Sequence, residues 1–178
     1  FHLAKVLRKK VGDKIEITDG KGKGFEGIIT DLKKDCVNFT LGKELFSNAE
    51  LKVKIHLAVA PTKNADRFEW MTEKAVEMGV CEITPIICER SERKNCNTDR
   101  LRKIILSAMK QSGRFYLPKI NEPVKLKDFQ SLAKQNLVAH CMDLQKKDIS
   151  AIDFSDSACI LIGPEGDFST NEIEMLIA

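Results

Sequence analysis

No apolar run in this 178-residue chain approaches the roughly 20 residues of a membrane-spanning helix. The amino end, FHLAKVLRKK, has no secretory h-region, so a cytosolic protein that engages no membrane is expected. The six cysteines, Cys36, Cys81, Cys88, Cys96, Cys141 and Cys159, contain no C-x-x-C pair. That spacing argues against zinc and redox motifs; no metal is expected, and the thiols read as reduced and mostly buried. An ordinary soluble composition remains, 43% hydrophobic and 31% charged. The net charge of +3 hides a polarity: residues 1–54 carry twelve Lys/Arg against eight Asp/Glu, residues 89–119 nine against three, and residues 143–178 two against eight. Two basic blocks beside an acidic carboxyl end fit a polyanion-binding surface, with a merely solvated lysine-rich surface as the alternative.

Along the chain, KIEIT, FEGIITD and CVNFTL between Lys14 and Leu41 form β-like runs separated by Asp19-Gly20 and Lys33-Lys34-Asp35, which predicts a small meander or barrel. Gly22, Gly24 and Gly27 spell G-x-G-x-x-G, but Ile28 and Ile29 continue a β pattern where a dinucleotide fingerprint needs a helix, so the match is assigned to a hairpin loop. GKELFSNAE interrupts the strands and marks a boundary between Leu41 and Leu51. Beyond it the period changes. VKIHLAVA (53–60) and CEITPIIC (81–88) read as buried strands. Between them a helix from Asp66 to Met78 is expected, with Phe68, Met71, Ala75 and Met78 inward and Gly79 at C′. A second helix, Thr98 to Ser112, turns Leu101, Ile104, Ile105 and Ala108 inward and Arg100, Arg102, Lys103 and Lys110 outward, ending at Gly113. A weaker helix around Leu126 to Lys134 and a strand over 136–142 follow. Strands alternating with helices predict a parallel, helix-covered sheet.

The most informative stretch is ACILIGPEGDFSTNEIE, Ala158 to Glu174. A buried strand stops at Gly163-Pro164; Ser169 and Glu172 then form a capping box, with Phe168 and Ile173 spaced as a hydrophobic staple. Strand, tight loop and helix amino end together are where open α/β sheets hold ligands; a plain βα turn is the alternative. The chain stops at Ala178 within that short helix, and further carboxyl-terminal sequence is expected.

In order, His2 with Val6-Leu7-Arg8 and Gly12-Asp13 come first. Lys63 with Arg67, then Lys74 with Glu77-Met78-Gly79-Val80, Ile83, Pro85 and Arg90-Ser91 follow. Ala108, Gln111-Ser112, Arg114 and Pro118, and finally Ile162-Gly163-Pro164-Glu165-Gly166, complete the series. These motifs resemble the RsmE family, bacterial 16S rRNA (uracil-N3)-methyltransferases of the SPOUT superfamily. The resemblance implies an amino-terminal PUA-like β-barrel that binds RNA (residues 1–48) and a SPOUT α/β methyltransferase domain (residues 49–178) with a carboxyl-terminal trefoil knot, incomplete in this chain. Topology rules alone would have excluded a knot. Two departures are visible. Asp167 stands where the family often has a second glycine, which Asp tolerates because it can adopt αL. The family's later L-G-x-R-I-L-R-x-E-T-A segment, which closes the cofactor pocket, is absent, so an incomplete site is expected.

The resemblance further implies S-adenosyl-L-methionine as cofactor, 16S rRNA of the small ribosomal subunit as substrate, and a homodimer. Cofactor contacts are expected from Ala139, His140, Ile162, Gly163, Pro164, Glu165 and Gly166, largely through backbone groups, with Glu165 as the acid-base or orienting carboxylate. RNA contacts are expected from Arg8, Lys63, Arg90, Gln111 and Arg114, since arginine suits phosphate and extruded bases. Each has a structural alternative: a loop hydrogen bond for Glu165, a strand-end position for His140, surface ion pairs for the arginines. Trp70 and Met71 read as core or dimer packing. Alternatives for the whole chain are a non-catalytic RNA-binding module and a SPOUT methyltransferase acting on transfer RNA.

Overall fold

The computed structural model describes residues 8–33, 36–46 and 51–177; His2, Val6 and Leu7 of the first motif lie outside them. The first sheet is antiparallel and contains β1 (Lys14–Thr18), β2 (Gly24–Leu32) and β3 (Val37–Leu45) in that order. β3 does not stop at Leu41. It continues to Leu45, pairing Glu44 with Phe25 and Leu45 with Gly24, because ladder bonds to β2 override the weak strand preference of Gly-Lys-Glu. Of the three glycines in the false fingerprint only Gly22 lies in the hairpin tip. Gly24 and Gly27 are in β2, where a Cβ would stand 2.3 Å from the Phe115 ring and 2.4 Å from Ile17 Cδ1 respectively.

The second sheet is parallel. Its strands are β4 (Lys54–Val59), β5 (Glu82–Ile87), β6 (Lys119–Ile120), β7 (Val124–Lys125), β8 (Gln135–Ala139) and β9 (Ser157–Ile162), ordered β6-β5-β4-β9-β8 with β7 beside β5. The last strand in sequence is thus inserted between the first strand of this sheet and the one before it; from β4 the chain runs out to β5 and β6 at one edge, whereas β9 is entered from β8 at the other. The β4–β9 pair is the switch point at which open α/β sheets form a crevice beyond the strand ends.

Helices α1 (Ala65–Met78) and α2 (Thr98–Gln111) cover one face. Asn64 caps α1 by accepting from Asp66 N, Asn97 caps α2 by accepting from Arg100 N, and Gly79 ends α1 at φ 100°. Their buried seam holds Val76, Ile83, Ile105 and Met109. Met78, expected inward, is 72% exposed. The inner stripe is instead Phe68, Thr72, Ala75 and Val76, and Thr72 is admitted because its hydroxyl donates to Phe68 O at 2.9 Å. The opposite face buries Ala58, Ile86, Leu161, Leu126, Phe168 and Ile173, the last of these from α3 (Thr170–Ile177).

Three further expectations are corrected. The segment from Leu126 to Lys134 forms only a 3-10 turn, Leu126–Asp128. Beyond it Ser131 Oγ accepts from Ala133 N at 3.1 Å, a local bond that competes with helix, while Phe129 and Ala133 already pack on the core. The strand expected over 136–142 ends at Ala139 because Cys141 N donates to Asp167 Oδ2 instead of a ladder partner. Cys88 and Cys159 are buried, but Cys81 and Cys96 are only half-buried and Cys36 and Cys141 are exposed, as their positions at strand ends and in loops dictate. All six are free thiols.

Candidate cofactor and RNA site

Beyond the carboxyl ends of β4, β5, β8 and β9, four loops meet around residues 163–169. β9 delivers Ile162, whose carbonyl accepts from Ala60 N at 2.9 Å. The chain then turns tightly, with Asp167 N donating to Pro164 O at 2.9 Å. Asp167 adopts φ 61°, the αL conformation that Asp tolerates. Its carboxylate accepts from Phe168 N and Cys141 N, each at 2.8 Å. Burial pushes its pKa up, and these N–H groups outweigh that, leaving it below the ordinary value.

The loop is tied outward on every side. Lys63 N donates to Glu165 Oε1 at 2.9 Å. Arg90 Nη1 donates to Gly166 O at 2.9 Å and Phe168 O at 3.3 Å. Ser169 N donates to Glu172 Oε2 at 2.8 Å and Glu172 N to Ser169 Oγ at 3.2 Å, the expected capping box. Glu172 Oε1 also accepts from Glu89 N at 2.8 Å, fastening α3 to the loop after β5. Phe168 and Ile173, the staple pair, are both buried. Arg93 Nη1 donates to Lys63 O at 3.3 Å, and Lys63 Nζ pairs with Glu92 at 2.8 Å.

Glu165 is exposed, and its own N–H followed by that of Lys63 lowers its pKa below the usual carboxylate value. It is therefore ionised at neutral pH and a weaker base than a free carboxylate. Gly163 is close-packed: a Cβ there would lie 3.1 Å from the Phe168 ring and 3.2 Å from Phe168 N. At Gly166 it would lie 3.6 Å from Arg90 carbons, an ordinary contact. Ala139 and His140, at the end of β8, line a cleft of about 610 Å³ with Leu137, Lys146 and Ile152. His140 Nδ1 is buried with no hydrogen-bond partner, the kind of polar atom a bound group completes. Beneath the loops, burial pushes the Cys88 thiol up to about 12, which rules it out as a nucleophile at neutral pH.

The structure gathers Lys63, Arg90, Ala139, His140 and Ile162 to Gly166 into one loop cluster. Gln111 and Arg114 are not in it. Gln111 ends α2 and Arg114 follows it, and the carboxyl end of this helix lies at the amino ends of the strands. Arg114 is 7% exposed, and its Nε and Nη2 donate to Glu77 O at 3.0 and 2.8 Å. The guanidinium expected at an RNA surface caps α1. Arg90 is exposed, but its Nη1 is committed to the loop carbonyls. Arg8 is exposed at φ 50°. Trp70 is 63% exposed and is not core. Asp167, Glu172, Arg93 and Glu92 were not singled out from the sequence as residues that tie these loops together. Asp167 carried a signal, a short carboxylate directly after Gly166. Glu172 carried the capping-box spacing with Ser169 but no sign of its bond to Glu89 N, and Arg93 and Glu92 carried none, because their partner Lys63 is about thirty residues away.

A crevice of glycine-bearing loops at a parallel-sheet switch point is the place where open α/β sheets bind nucleotide-type ligands. An RNA methyltransferase domain model matches residues 49–178, and an RNA methyltransferase PUA domain model matches residues 1–41. The chain is 30% identical over 176 residues to the ribosomal RNA small subunit methyltransferase E of Rickettsia conorii, a match that covers 96% of this chain and 71% of that protein. A probable rRNA-methyltransferase from Porphyromonas gingivalis superposes with TM-score 0.85 at 32% identity, covering 99% of this chain and 76% of that one. A putative Legionella pneumophila methyltransferase, solved with bound S-adenosylmethionine, gives 0.84 at 32% identity, covering 98% and 74%. The chain belongs to the ribosomal RNA small subunit methyltransferase E family.

Proposed function

We propose that the chain methylates N3 of one uridine in 16S rRNA of the small ribosomal subunit, using S-adenosyl-L-methionine, in the cytoplasm. The observation that carries the proposal is the loop from Ile162 to Asp167, held by Lys63 at Glu165, Arg90 at Gly166 and Cys141 at Asp167 at the sheet switch point, in a chain whose Legionella relative holds the cofactor. When bound, the cofactor supplies an activated methyl group. The residues present fit such a group: Gly163 and Gly166 offer backbone without side chains, and His140 Nδ1 lacks a partner. Ala139, His140 and Ile162 to Gly166 would hold it.

Uracil N3 lies on the pairing edge and carries a proton, so the base must be unpaired and the proton lost during transfer. Glu165, ionised and fixed by the Lys63 N–H, orients the loop. Arg93, beside the Lys63–Glu92 pair, would supply positive charge at the crevice for RNA phosphate. Residues 1–48, as a PUA-like barrel with Arg8, would add RNA surface to the methyltransferase unit of residues 49–178. A trefoil knot and a homodimer complete the reading, with exposed Trp70 available for subunit packing. Mass spectrometry of digested small-subunit rRNA from wild-type and deletion strains tests it. Loss of 3-methyluridine on deletion is expected. Equal amounts in both strains refute the reaction and return the chain to a transfer-RNA or non-catalytic role.

A further inference from the structure

Away from the cofactor loops, the tip of the β1–β2 hairpin is clamped to residues 115–117, the stretch that follows α2. Gly22 N donates to Phe115 O at 3.0 Å, Leu117 N to Gly20 O at 2.9 Å, and Thr18 Oγ1 to Phe115 O at 3.1 Å. Lys21 and Tyr116 are direct partners in an isolated antiparallel bridge. Gly20 and Gly22 have φ of 70° and 106°, and a Cβ on Gly22 would stand 2.4 Å from Tyr116 Cζ. The tyrosine ring therefore lies against bare backbone. Even so, Tyr116 is 53% exposed and Leu117 beside it 47%.

Charge surrounds this ring asymmetrically. Lys21, its bridge partner, and Lys23, two residues on in the same hairpin tip, are both exposed, and neither makes an ion pair among the described residues. The carboxylate at the tip, Asp19, accepts from the backbone N–H groups of Lys21 and Lys23 at 2.7 and 3.1 Å and also attracts both ammonium groups, so the two lysines exceed it by one positive charge. An aromatic face fixed on rigid backbone, open on its other side and edged by unpaired ammonium groups, is what an unpaired nucleotide binds: the base stacks and the phosphates meet the lysines.

We infer that Tyr116, with Lys21 and Lys23, is a stacking platform for an unpaired nucleotide of the RNA substrate, at the junction of the two sheets. The inference rests on the RNA-substrate reading above and extends it to a site remote from the methyl transfer. α2, with 14 residues, is about 21 Å long and separates the platform from the loops at its other end. The platform thus holds a nucleotide distant from the target base and sets how the strand enters.

The test is anisotropy titration of the full chain with a labelled single-stranded oligoribonucleotide from small-subunit rRNA, with the same sequence as a perfect duplex for comparison. Tyr116→Ala should weaken single-strand binding about tenfold, whereas Tyr116→Phe, which keeps the ring, should stay within about twofold of wild type. The double neutralisation Lys21→Gln/Lys23→Gln, at exposed positions, should lower the salt slope on the single strand by about 1.4, roughly 0.7 per lysine. Wild-type affinity in Tyr116→Ala, equal loss in Tyr116→Phe and Tyr116→Ala, or an unchanged slope in the lysine variant overturns the platform. A wild-type chain that binds no RNA overturns both the platform and the proposed function. A platform that behaves as described in a chain that leaves 3-methyluridine unchanged on deletion refutes the reaction alone.

Discussion

Arg114 offers the sharpest confrontation between residue type and structure. In a motif, beside a basic helix, it looks like a phosphate contact; in the fold it is 7% exposed and donates twice to Glu77 O. α1 has no basic residue in its own last turn, so this guanidinium, supplied from beyond α2, meets both an orphan carbonyl and the negative end of the helix dipole. Gly79 makes the approach possible, since a Cβ there would stand 2.7 Å from Arg114 Nη1. Replacing Arg114 with Met keeps much of the volume and removes the donors. Hydrogen bonds to a charged group are worth about 1.5–3 kcal/mol, and a loss of about 2–3 kcal/mol lowers the melting temperature of a chain this size by roughly 4–12 °C. Lys, which keeps the charge but not the fork, should fall between Met and wild type. Calorimetric melting together with RNA titration over a salt series reads both roles at once: Tm should drop while the salt slope stays at its wild-type value. An unchanged Tm with a slope smaller by about one counterion would refute the capping argument and restore Arg114 to the RNA surface.

The two loop glycines should separate structure from ligand approach. Gly163→Ala presses on Phe168 N and should destabilise by about 1–2 kcal/mol, whereas Gly166→Ala meets only ordinary contacts and should change stability by no more than about 0.5 kcal/mol while weakening S-adenosylmethionine binding; equal affinity by calorimetry would remove Gly166 from the cofactor site. Glu165 has its pKa lowered by its own N–H and that of Lys63, so its bond to Lys63 is fully present above the unfolded carboxylate value and lost only as pH falls through the folded one. Cofactor affinity should therefore be flat around neutral pH and decline in acid, and Glu165→Gln should lack that acid limb; a wild-type titration step near neutrality that vanishes in Glu165→Gln would make Glu165 a proton acceptor after all.

What was legible in the sequence was local or periodic. Ser169 and Glu172 bind each other across one turn, so a three-residue spacing sufficed, and Gly79 announced the end of α1 because only αL fits there. The alternation of apolar runs predicted a parallel sheet, but not that β9 enters between β4 and β8, since strand order is decided by contacts over a hundred residues apart. The helix expected after Leu126 failed for a related reason: Phe129 and Ala133 had helix-like spacing, yet the sheet accepted them in extended form and Ser131 captured the backbone. Motif resemblance reached further than periodicity and located the Ile162–Gly166 loop, but it named residues without naming their partners. Lys63 contributes through its main-chain N–H as well as its ammonium group, and Arg90 and Arg114 donate to carbonyl oxygens that every sequence possesses at every position. An arginine in a conspicuous motif therefore says that five donors are wanted somewhere nearby; whether they meet a helix end, a loop or a phosphate is decided by which carbonyls the fold leaves without a partner.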